Sequence, residues 1–371
     1  MKRFIICILC TLVILTGCWD QNQFKNIKLT LTIGYDKAEE GKIYETVSIP
    51  TVKGSEGVVE ETVQVLSSDA RTPLDARDKI DQMISQSFNP SKVEVVLIGE
   101  ELAKSDIYPL LDNFYRNPSS NLNAQLAIVE GTAKEAINFR STGDTKISEY
   151  IGGLLKAATS STHAHGHNMQ MLWGEMIEEG EDFALPLLKV DEESNVIKFD
   201  GLGLMHEDYY TGIKIPPEQS TLLLLMQGNK GNVARMTRKV RDDQPTPILE
   251  YITFQVMDFD RKLKIRPEGD EVNVDMTLNL NVTVTEYPHD HLVDEKIIEK
   301  LNKDLSNVLT EEASEVFNIT KEGNSDVFSI GRMLKAYHPE VWKEMDWAED
   351  YKDVTFNPKV NVTIQNHGII N

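Results

Sequence analysis

The sequence predicts a multi-domain protein of mixed α/β and α+β class, with two or three domains. Three observations lead to this prediction. Strand-like apolar runs alternate with helix-like stretches through the first third of the chain, which is typical of a mixed sheet with helices on its faces. Strict apolar–polar alternation over Val272–Val284 is followed by helical spacing from Val293 to Phe317. A chain of 371 residues is also long enough for two or three ordinary cores.

An N-terminal mixed α/β domain is predicted for residues 18–195. Pro73 is followed by an acidic first turn, which is typical of a helix start. The run Val93–Ile98 is almost continuously apolar, which indicates a strand covered on both faces. The predicted strands are 27–33, 43–49, 58–66, 93–98 and 122–129; the predicted helices are 73–87, 108–115, 132–139 and 147–180, the last broken by a polar loop at 159–168.

A polar run at Asp191–Asn195 predicts a boundary, after which residues 196–247 form a small middle segment or domain. This segment contains an apolar helix that begins at Pro216-Pro217. It also contains the basic stretch Lys230–Arg241, with five cations and no acidic residue. Two interpretations of that stretch stay open: a charged edge that resists strand pairing, or a dock for an acidic partner or lipid headgroups.

The C-terminal domain, residues 248–371, is predicted to be α+β, an antiparallel sheet packed by a long helix. The alternation within Val272–Val284 implies a strand with one solvated face, as antiparallel sheets have. A second helix is predicted over residues 326–337, and the chain closes on an alternating strand that includes Val360, Val362 and Ile364.

The N-terminus has the layout of an export signal. Lys2 and Arg3 precede the uncharged run Phe4–Leu15, which is too short to span ~30 Å of hydrocarbon as a permanent helix. The run ends in Thr16-Gly17-Cys18, the pattern of a bacterial lipobox. We therefore expect residues 1–17 to be a cleaved lipoprotein signal peptide, with cleavage after Gly17. Cys18 would then carry an S-diacylglycerol and an N-acyl group. The diacylglycerol alone supplies the two acyl chains that stable anchoring requires.

Composition narrows the function further. The whole chain has a net charge of −21, and loss of Lys2 and Arg3 with the signal leaves −23. Such a charge argues against nucleic-acid binding and against adsorption to anionic lipid. Cleavage also removes Cys7 and Cys10, so Cys18 is the remaining cysteine and no intramolecular disulfide is expected.

No motif in the sequence indicates an enzyme. There is no Gly-x-Ser-x-Gly elbow, and no cysteine nucleophile remains after maturation. The best metal candidates are weak ones, His163, His165 and His167, which would share one face of an extended strand. A solvated loop is the alternative, since no second cluster supplies further ligands. We therefore predict no cofactor, no metal and no catalytic residues.

Several motifs in order along the chain resemble the Ger(x)C family of spore germination lipoproteins, the C subunits of nutrient germinant receptors. The first is Cys18-Trp19-Asp20, although the acidic residue and leucine usual after it are replaced by Gln21–Phe24. The other similar segments are Ile33-Gly34-Tyr35-Asp36-Lys37, Val96–Ala103, Pro109–Asp112 with Arg116, Phe199–Gly203, Asp326–Gly331, Pro339, Trp342, Trp347 and the closing Val-x-Val-x-Ile strand.

The resemblance implies a non-catalytic lipoprotein of an endospore-forming bacterium, held on the outer face of the spore's inner membrane. There it would act with membrane-embedded A and B subunits so that nutrients trigger germination. Cys18 is the one site residue that the resemblance carries over. Two alternatives stay open from the residues: a solute-binding lipoprotein of a transporter, with two similar α/β lobes, and a metal-dependent surface enzyme built on His163–His167.

Overall fold

A computed structural model describes residues 27–55, 58–85, 87–140, 146–242, 244–269, 271–289, 292 and 294–366. Its strands are β1 (Ile27–Leu29), β2 (Thr32–Lys37), β3 (Ile43–Ser55), β4 (Val58–Ala70), β5 (Ser87–Asn89), β6 (Val95–Gly99), β7 (Gln125–Glu130), β8 (Ala184–Asp191), β9 (Val196–His206), β10 (Tyr209–Ile215), β11 (Arg235–Lys239), β12 (Tyr251–Glu268), β13 (Glu271–Glu286) and β14 (Thr355–Asn366). Its α-helices are α1 (Pro73–Asp81), α2 (Glu100–Ala103), α3 (Tyr108–Arg116), α4 (Ala133–Asn138), α5 (Ile147–Ser160), α6 (Met169–Met176), α7 (Pro217–Gln227), α8 (Glu295–Glu322), α9 (Ile330–Tyr337), α10 (Pro339–Trp342) and α11 (Trp347–Asp350).

The first sheet has eight strands in the order β10-β9-β8-β7-β6-β2-β3-β4. The strands β2, β6, β7 and β8 are parallel, whereas the pairs at both sides of them are antiparallel. Helices α1, α3 and α6 pack on one face, and α4 and α5 pack on the other. Every residue of β6 is buried, because helices cover both faces of this strand.

A buried carboxylate fixes α4 to the end of β2. Asp36 accepts hydrogen bonds from the main-chain N–H groups of Ala133 (2.7 Å) and Lys134 (2.9 Å), two of the unpaired donors at the start of a helix. The Gly-Tyr-Asp-Lys motif at the end of β2 therefore has a structural role, since it joins a strand of the first sheet to the helix after β7.

The boundary predicted at residue 195 falls inside a hairpin of the first sheet. Strand β9 pairs with β8 in antiparallel register, with Asp191 opposite Val196, and β10 then pairs with β9. The polar run Asp191–Asn195 is thus a hairpin turn. Residues 196–215 belong to the N-terminal sheet rather than to a separate middle unit, because their main-chain hydrogen bonds are made there.

Helix α7 lies between the two sheets. Its residues from Ser220 to Met226 are all buried, as expected of a helix that is apolar all round. It contacts β9 and β10 of the first sheet and β11, β12 and α8 of the second. One apolar core therefore runs continuously from Leu202 and Leu204 of β9 to the inner face of the second sheet.

The second sheet has four strands in the order β11-β12-β13-β14. Helix α8 packs on it through Leu301, Leu305 and Leu309, which follow helical spacing, as predicted. The sheet is antiparallel over its first three strands, but β14 runs parallel to β13, which differs from the prediction. The difference arises because α8 and the short helices after it return the chain across the sheet, as in a parallel crossover.

Candidate functional site

The two sheets are joined by direct main-chain contacts that we call the seam, residues 180–183 against residues 325–332. The main-chain N–H of Asp182 donates to the carbonyl of Asp326 at 3.1 Å, and the N–H of Asp326 donates to Asp182 Oδ2 at 2.7 Å. The N–H of Arg332 donates to the carbonyl of Gly180 at 2.8 Å. The segment before β8 and the turn after α8 are therefore held together as a pair.

Asp326 is the centre of the seam and is only 1% exposed. Its carboxylate accepts hydrogen bonds from the N–H groups of Ile330 (3.0 Å) and Gly331 (2.7 Å) at the start of α9, and from Trp347 Nε1 (3.0 Å). Burial raises the pKa of this carboxyl well above its usual range, and the N–H groups of Gly331 and Ile330 oppose that rise. One side chain thus caps α9 and fixes a tryptophan against it.

Two glycines allow the seam to close. A Cβ atom on Gly331 would lie 2.3 Å from Trp347 Nε1 and 2.8 Å from the Cα of Gly180. Gly180 itself has φ +79°, a conformation that favours glycine. Any side chain at residue 331 would therefore push the tryptophan or the opposite backbone away.

A cavity of about 260 Å³ opens at the seam, and we call it the seam cavity. Its walls come from both halves of the protein and include His165, His167, Glu175, Gln227 and Arg261. The lining is mostly polar. Unlike the seam itself, this cavity brings together side chains whose hydrogen-bonding capacity is not fully used within the described residues.

The three candidate metal ligands do not converge on one point. His165 and His167 stack face to face with ring centroids 4.6 Å apart, whereas the ring of His163 lies edge-on to Phe199 at 6.2 Å. Burial and the neighbouring His167 lower the pKa of His165 to about 3, so its imidazole is neutral at pH 7. His167 Nδ1 lies 3.2 Å from Glu175 Oε2. Across the described residues, no group of three or more His, Cys, Asp and Glu side chains could hold a metal ion.

A second opening, of about 500 Å³, lies beside the seam, and we call it the acidic cleft. Eight acidic residues line it together with Tyr209, Trp342 and Trp347, and no lysine or arginine does so in the described part of the chain. Burial and the neighbouring carboxylates raise the pKa of Asp208 to about 6. The hydrogen bond from His206 to Asp182 raises the pKa of this histidine. The cleft therefore presents a negative and partly aromatic surface.

The basic stretch Lys230–Arg241 contains the edge strand β11. Arg238 Nε and Nη2 both donate to the carboxylate of Glu312 on α8, at 2.6 and 2.7 Å. Lys239 pairs with Glu250 at 2.9 Å. These two cations form ion pairs with the helix that covers the sheet and with a residue beside the sheet. This pairing favours the interpretation of the stretch as a charged edge over its interpretation as a dock for a partner.

The lipid anchor stays a prediction. Cys18, with the cleavage position after Gly17, lies outside the described residues. No helix among the described residues is long and apolar enough to cross a membrane.

Sequence reasoning did not single out Asp182 or Arg261. No sequence pattern marks Asp182, because the residues it contacts, Asp326 and His206, are distant from it in the chain. A sequence pattern does mark Arg261. It stands in the same alternating row of β12 as Phe259 and Leu263, which pack on the core. A cation in such an apolar row is a signal that could have found it.

Comparisons with known proteins match almost the whole chain. The family models are "Spore germination protein N-terminal domain", over residues 20–190, and "Spore germination B3/ GerAC like, C-terminal", over residues 200–368. The chain is 21% identical over 370 residues to spore germination protein GerQC of Bacillus cereus, covering 100% of this chain and 99% of that one. It is 20% identical over 399 residues to spore germination protein KC of Bacillus subtilis (strain 168), covering 99% and 96%.

A solved structure has a similar fold. The crystal structure of the GerBC protein matches with a TM-score of 0.58 at 16% identity, over 90% of this chain and 97% of that one. At this identity the likeness concerns the fold alone. It confirms the predicted combination of mixed α/β and α+β architecture.

Proposed function

We propose a function on the premise that this chain belongs to the Ger(x)C, or GerAC-like, family of spore germination proteins, whose two models match residues 20–190 and 200–368. The protein is a lipid-anchored, non-catalytic C subunit of a nutrient germinant receptor. It sits on the outer face of the spore inner membrane and acts there with membrane-embedded A and B subunits. The observation that carries this proposal is a lipobox that ends at Cys18, directly before a chain that matches the family over nearly its full length.

The distance from anchor to fold supports a role close to the bilayer. Strand β1 begins at Ile27, nine residues after Cys18, which is a reach of at most about 30 Å even for an extended chain. The two acyl chains of an S-diacylglycerol on Cys18 would already hold the protein stably, whereas a single chain would bind only marginally. A body tethered this closely can contact membrane-embedded partners without leaving the surface.

Substitution of Cys18 tests the anchor directly. We expect Cys18→Ala to slow nutrient-triggered germination by about tenfold or more, because loss of the acyl chains removes stable membrane attachment. Spores would be followed by loss of refractility and release of dipicolinic acid, and the protein by its share in the membrane fraction. Cys10→Ala is the matched control, since Cys10 lies in the signal and cannot become the lipidated N-terminus.

Two results would contradict the proposal. One is a Cys18→Ala protein that stays in the membrane fraction with unchanged germination. The other is a deletion strain whose spores respond normally to every nutrient tested. Loss of response to one nutrient class on deletion, with impairment by Cys18→Ala and none by Cys10→Ala, is the expected pattern.

The alternative of a solute-binding lipoprotein predicts two similar α/β lobes. Apart from the short parallel pair β1–β5, the described residues instead form an eight-stranded mixed sheet and a four-stranded sheet with one long helix, which are unlike each other. This alternative also predicts lost uptake of a solute by growing cells with normal spore germination. Measurement of both properties in the deletion strain separates the two functions.

A further inference from the structure

Strand β4, at one end of the first sheet, has a long unpaired edge. It pairs with β3 over all of its 13 residues, and no strand lies on its other side in the described part of the chain. Within that part, its main-chain groups bond only to β3, apart from the carbonyl of Asp69, which accepts from Lys79 Nζ and Ser68 Oγ. Such an edge presents a row of N–H and C=O groups with which another strand can pair.

The last strand of the second sheet shows how this protein closes an edge. Three N–H groups of β14 donate to side-chain oxygens of α8 at 2.9–3.0 Å: Val360 to Thr310, Val362 to Ser306, and Ile364 to Asn302. The covering helix thus uses the donors that a further strand would need. Strand β14 therefore does not offer an open ladder.

The remaining long edges of the described sheets are protected by their sequence or shape. Strand β11 has only five residues, and three of them are cations, Arg235, Arg238 and Lys239. The part of β12 that extends past β11 contains Lys262, Lys264 and Pro267. The register of β10 against β9 shifts between Tyr210 and Lys214. Charged residues, prolines and irregular register all discourage pairing at an edge.

The edge of β4 lacks these protections over residues 62–68. This run, Thr-Val-Gln-Val-Leu-Ser-Ser, contains no charged residue, proline or glycine. Three of its seven residues, Thr62, Val63 and Val65, are β-branched and therefore favoured in strands. The chain leaves open one long edge that is well suited to pairing.

The side chains of this edge lie at the margins of two apolar layers. Val65 packs against the core formed with α4 and α5, and Leu66 packs against the core on the opposite face of the sheet. Both side chains are half-buried. Helix α1 packs against β4, and its Leu74 is 50% exposed. A strand beside β4 would therefore bury apolar surface with side chains on both of its faces.

Charge narrows the kind of strand that fits. Strand β4 contains three acidic residues, Glu60, Glu61 and Asp69, and no basic one. Lys42 lies 3.4 Å from Asp69, but the side chain of this aspartate remains 58% exposed. The whole chain has a net charge of −21. The edge thus favours a strand that is apolar at its centre and basic at its ends.

A second copy of this chain fits the same edge poorly. Two β4 strands related by a twofold axis would pair in antiparallel register. Centred on Val65, the middle of the uncharged run, that pairing sets Glu61 of each copy opposite Asp69 of the other. Like charges directly opposite each other destabilise a sheet, and the net charge of both copies adds to the repulsion.

We propose that the free edge of β4 binds an extended segment of a partner protein by strand addition. The segment has apolar or β-branched residues at its centre and lysine or arginine at its ends. Main-chain hydrogen bonds supply the affinity, and the terminal cations supply the selectivity. The uncharged run is about 23 Å long at ~3.3 Å per residue, so about seven to nine residues of the partner are sufficient. This proposal does not rest on the membrane anchor or on the receptor function.

The experiment uses the full chain purified in detergent and three labelled peptides. The first is Lys-Lys-Val-Thr-Val-Thr-Val-Lys-Lys, the second has glutamate in place of each lysine, and the third is the first with N-methyl groups on its five central residues. The third peptide keeps all four lysines but loses the central N–H donors, so it measures general attraction to an acidic protein. Fluorescence anisotropy at physiological ionic strength, which screens distant charges, gives the affinities.

We expect the first peptide to bind saturably, and at least tenfold more tightly than either of the others. Hydrogen exchange should then show slower exchange of main-chain N–H groups within residues 62–68, because added pairing protects them from solvent. The proposal is overturned if the first peptide does not bind, if the N-methylated or the glutamate peptide binds equally well, or if the protection falls elsewhere in the chain.

Two variants make the test specific to this edge. Gln64 is exposed in the middle of the uncharged run, so Gln64→Lys is expected to weaken the first peptide at least fivefold without lowering the melting temperature. Gln365→Lys makes the same change at an exposed position of β14, where α8 already uses the N–H donors, and is expected to bind like the wild type.

Two results with these variants would contradict the proposal. One is a Gln64→Lys protein that binds the first peptide as the wild type does. The other is a wild-type dimer that Gln64→Lys dissociates, since a second copy would then occupy the edge. None of these measurements involves germination or membrane attachment, so the proposed function stands or falls separately.

Discussion

Replacement of Asp326 with alanine is expected to lower the free energy of unfolding by about 3–5 kcal/mol, because it leaves buried N–H donors without an acceptor at about 1–3 kcal/mol each. Three donors converge on this carboxylate: the N–H groups of Ile330 and Gly331, and Trp347 Nε1. Urea denaturation followed by circular dichroism measures the loss. A red shift of tryptophan fluorescence should accompany it, since Trp347 loses its fixed position.

Two further variants separate the carboxylate from general effects of substitution. Asp326→Asn keeps the shape and one acceptor oxygen, so we expect a smaller loss than for alanine. Asp78→Ala makes the same chemical change at an exposed position of α1 and should stay within about 0.5 kcal/mol of the wild type. An Asp326→Ala protein as stable as the Asp78→Ala protein would show that the seam does not depend on this carboxylate.

The seam shows where sequence reasoning reaches its limit. The segment Asp326–Gly331 and Trp347 were noticed through family resemblance, but their shared role was not visible in the pattern. That role depends on Asp182, which is 144 residues from Asp326 in the chain and meets it only when the two sheets pack. Alternation and helical spacing report which face of an element is apolar; they carry no information on which distant polar groups meet.

Elements with one regular period were predictable for the same reason. The alternation of β13 and the apolar stripe of α8 each follow from burial on one face, and both were found close to their observed bounds. Strand β12 was not predicted because the phase of its apolar–polar alternation changes along the strand. Ile252, Phe254 and Val256 are buried, after which the inward row continues at Phe259, and the register shifts between Val256 and Asp258. A bulge of this kind moves the apolar row by one residue and breaks the alternation.

The direction of the last strand also could not be predicted from the apolar–polar alternation. The last strand, β14, alternates as predicted but runs parallel to β13. Alternation fixes which residues face the core and is the same for either direction of the strand. The basic stretch gives a similar lesson: its charge was evident, whereas its pairing with Glu312 required the position of α8.

The buried glutamate of β3 leads to the second large expected effect, a change of stability with pH. Glu45 is 1% exposed and lies opposite Tyr35 on β2, and its Oε2 has no hydrogen-bond partner within the described residues. Burial raises the pKa of this carboxyl to about 8, although the positive charge of Arg77 opposes the rise. The side chain is therefore protonated in the folded protein at neutral pH.

The sign of the effect follows from the two pKa values. The unfolded chain loses this proton near pH 4.3, whereas the folded chain keeps it up to about pH 8. Between these values the folded state binds the extra proton, so its stability falls by about 1.4 kcal/mol for each pH unit as the pH rises. The contribution of the protonated Glu45 carboxyl to the free energy of unfolding is fully present below the lower pKa and is lost above the higher one.

Glu45→Gln should remove this dependence, because the amide has no proton to lose in this range. Relative to the wild type, we expect the variant to gain about 3–4 kcal/mol of stability between pH 5 and pH 8, with a constant difference above pH 9. Urea denaturation of both proteins at each pH gives the difference, and Glu39→Gln, an exposed glutamate near the same strand, is the control expected to show none. If the stability difference between Glu45→Gln and the wild type did not change with pH, the folded protein would hold this carboxylate ionised. The positive charge of Arg77 would then outweigh the effect of burial.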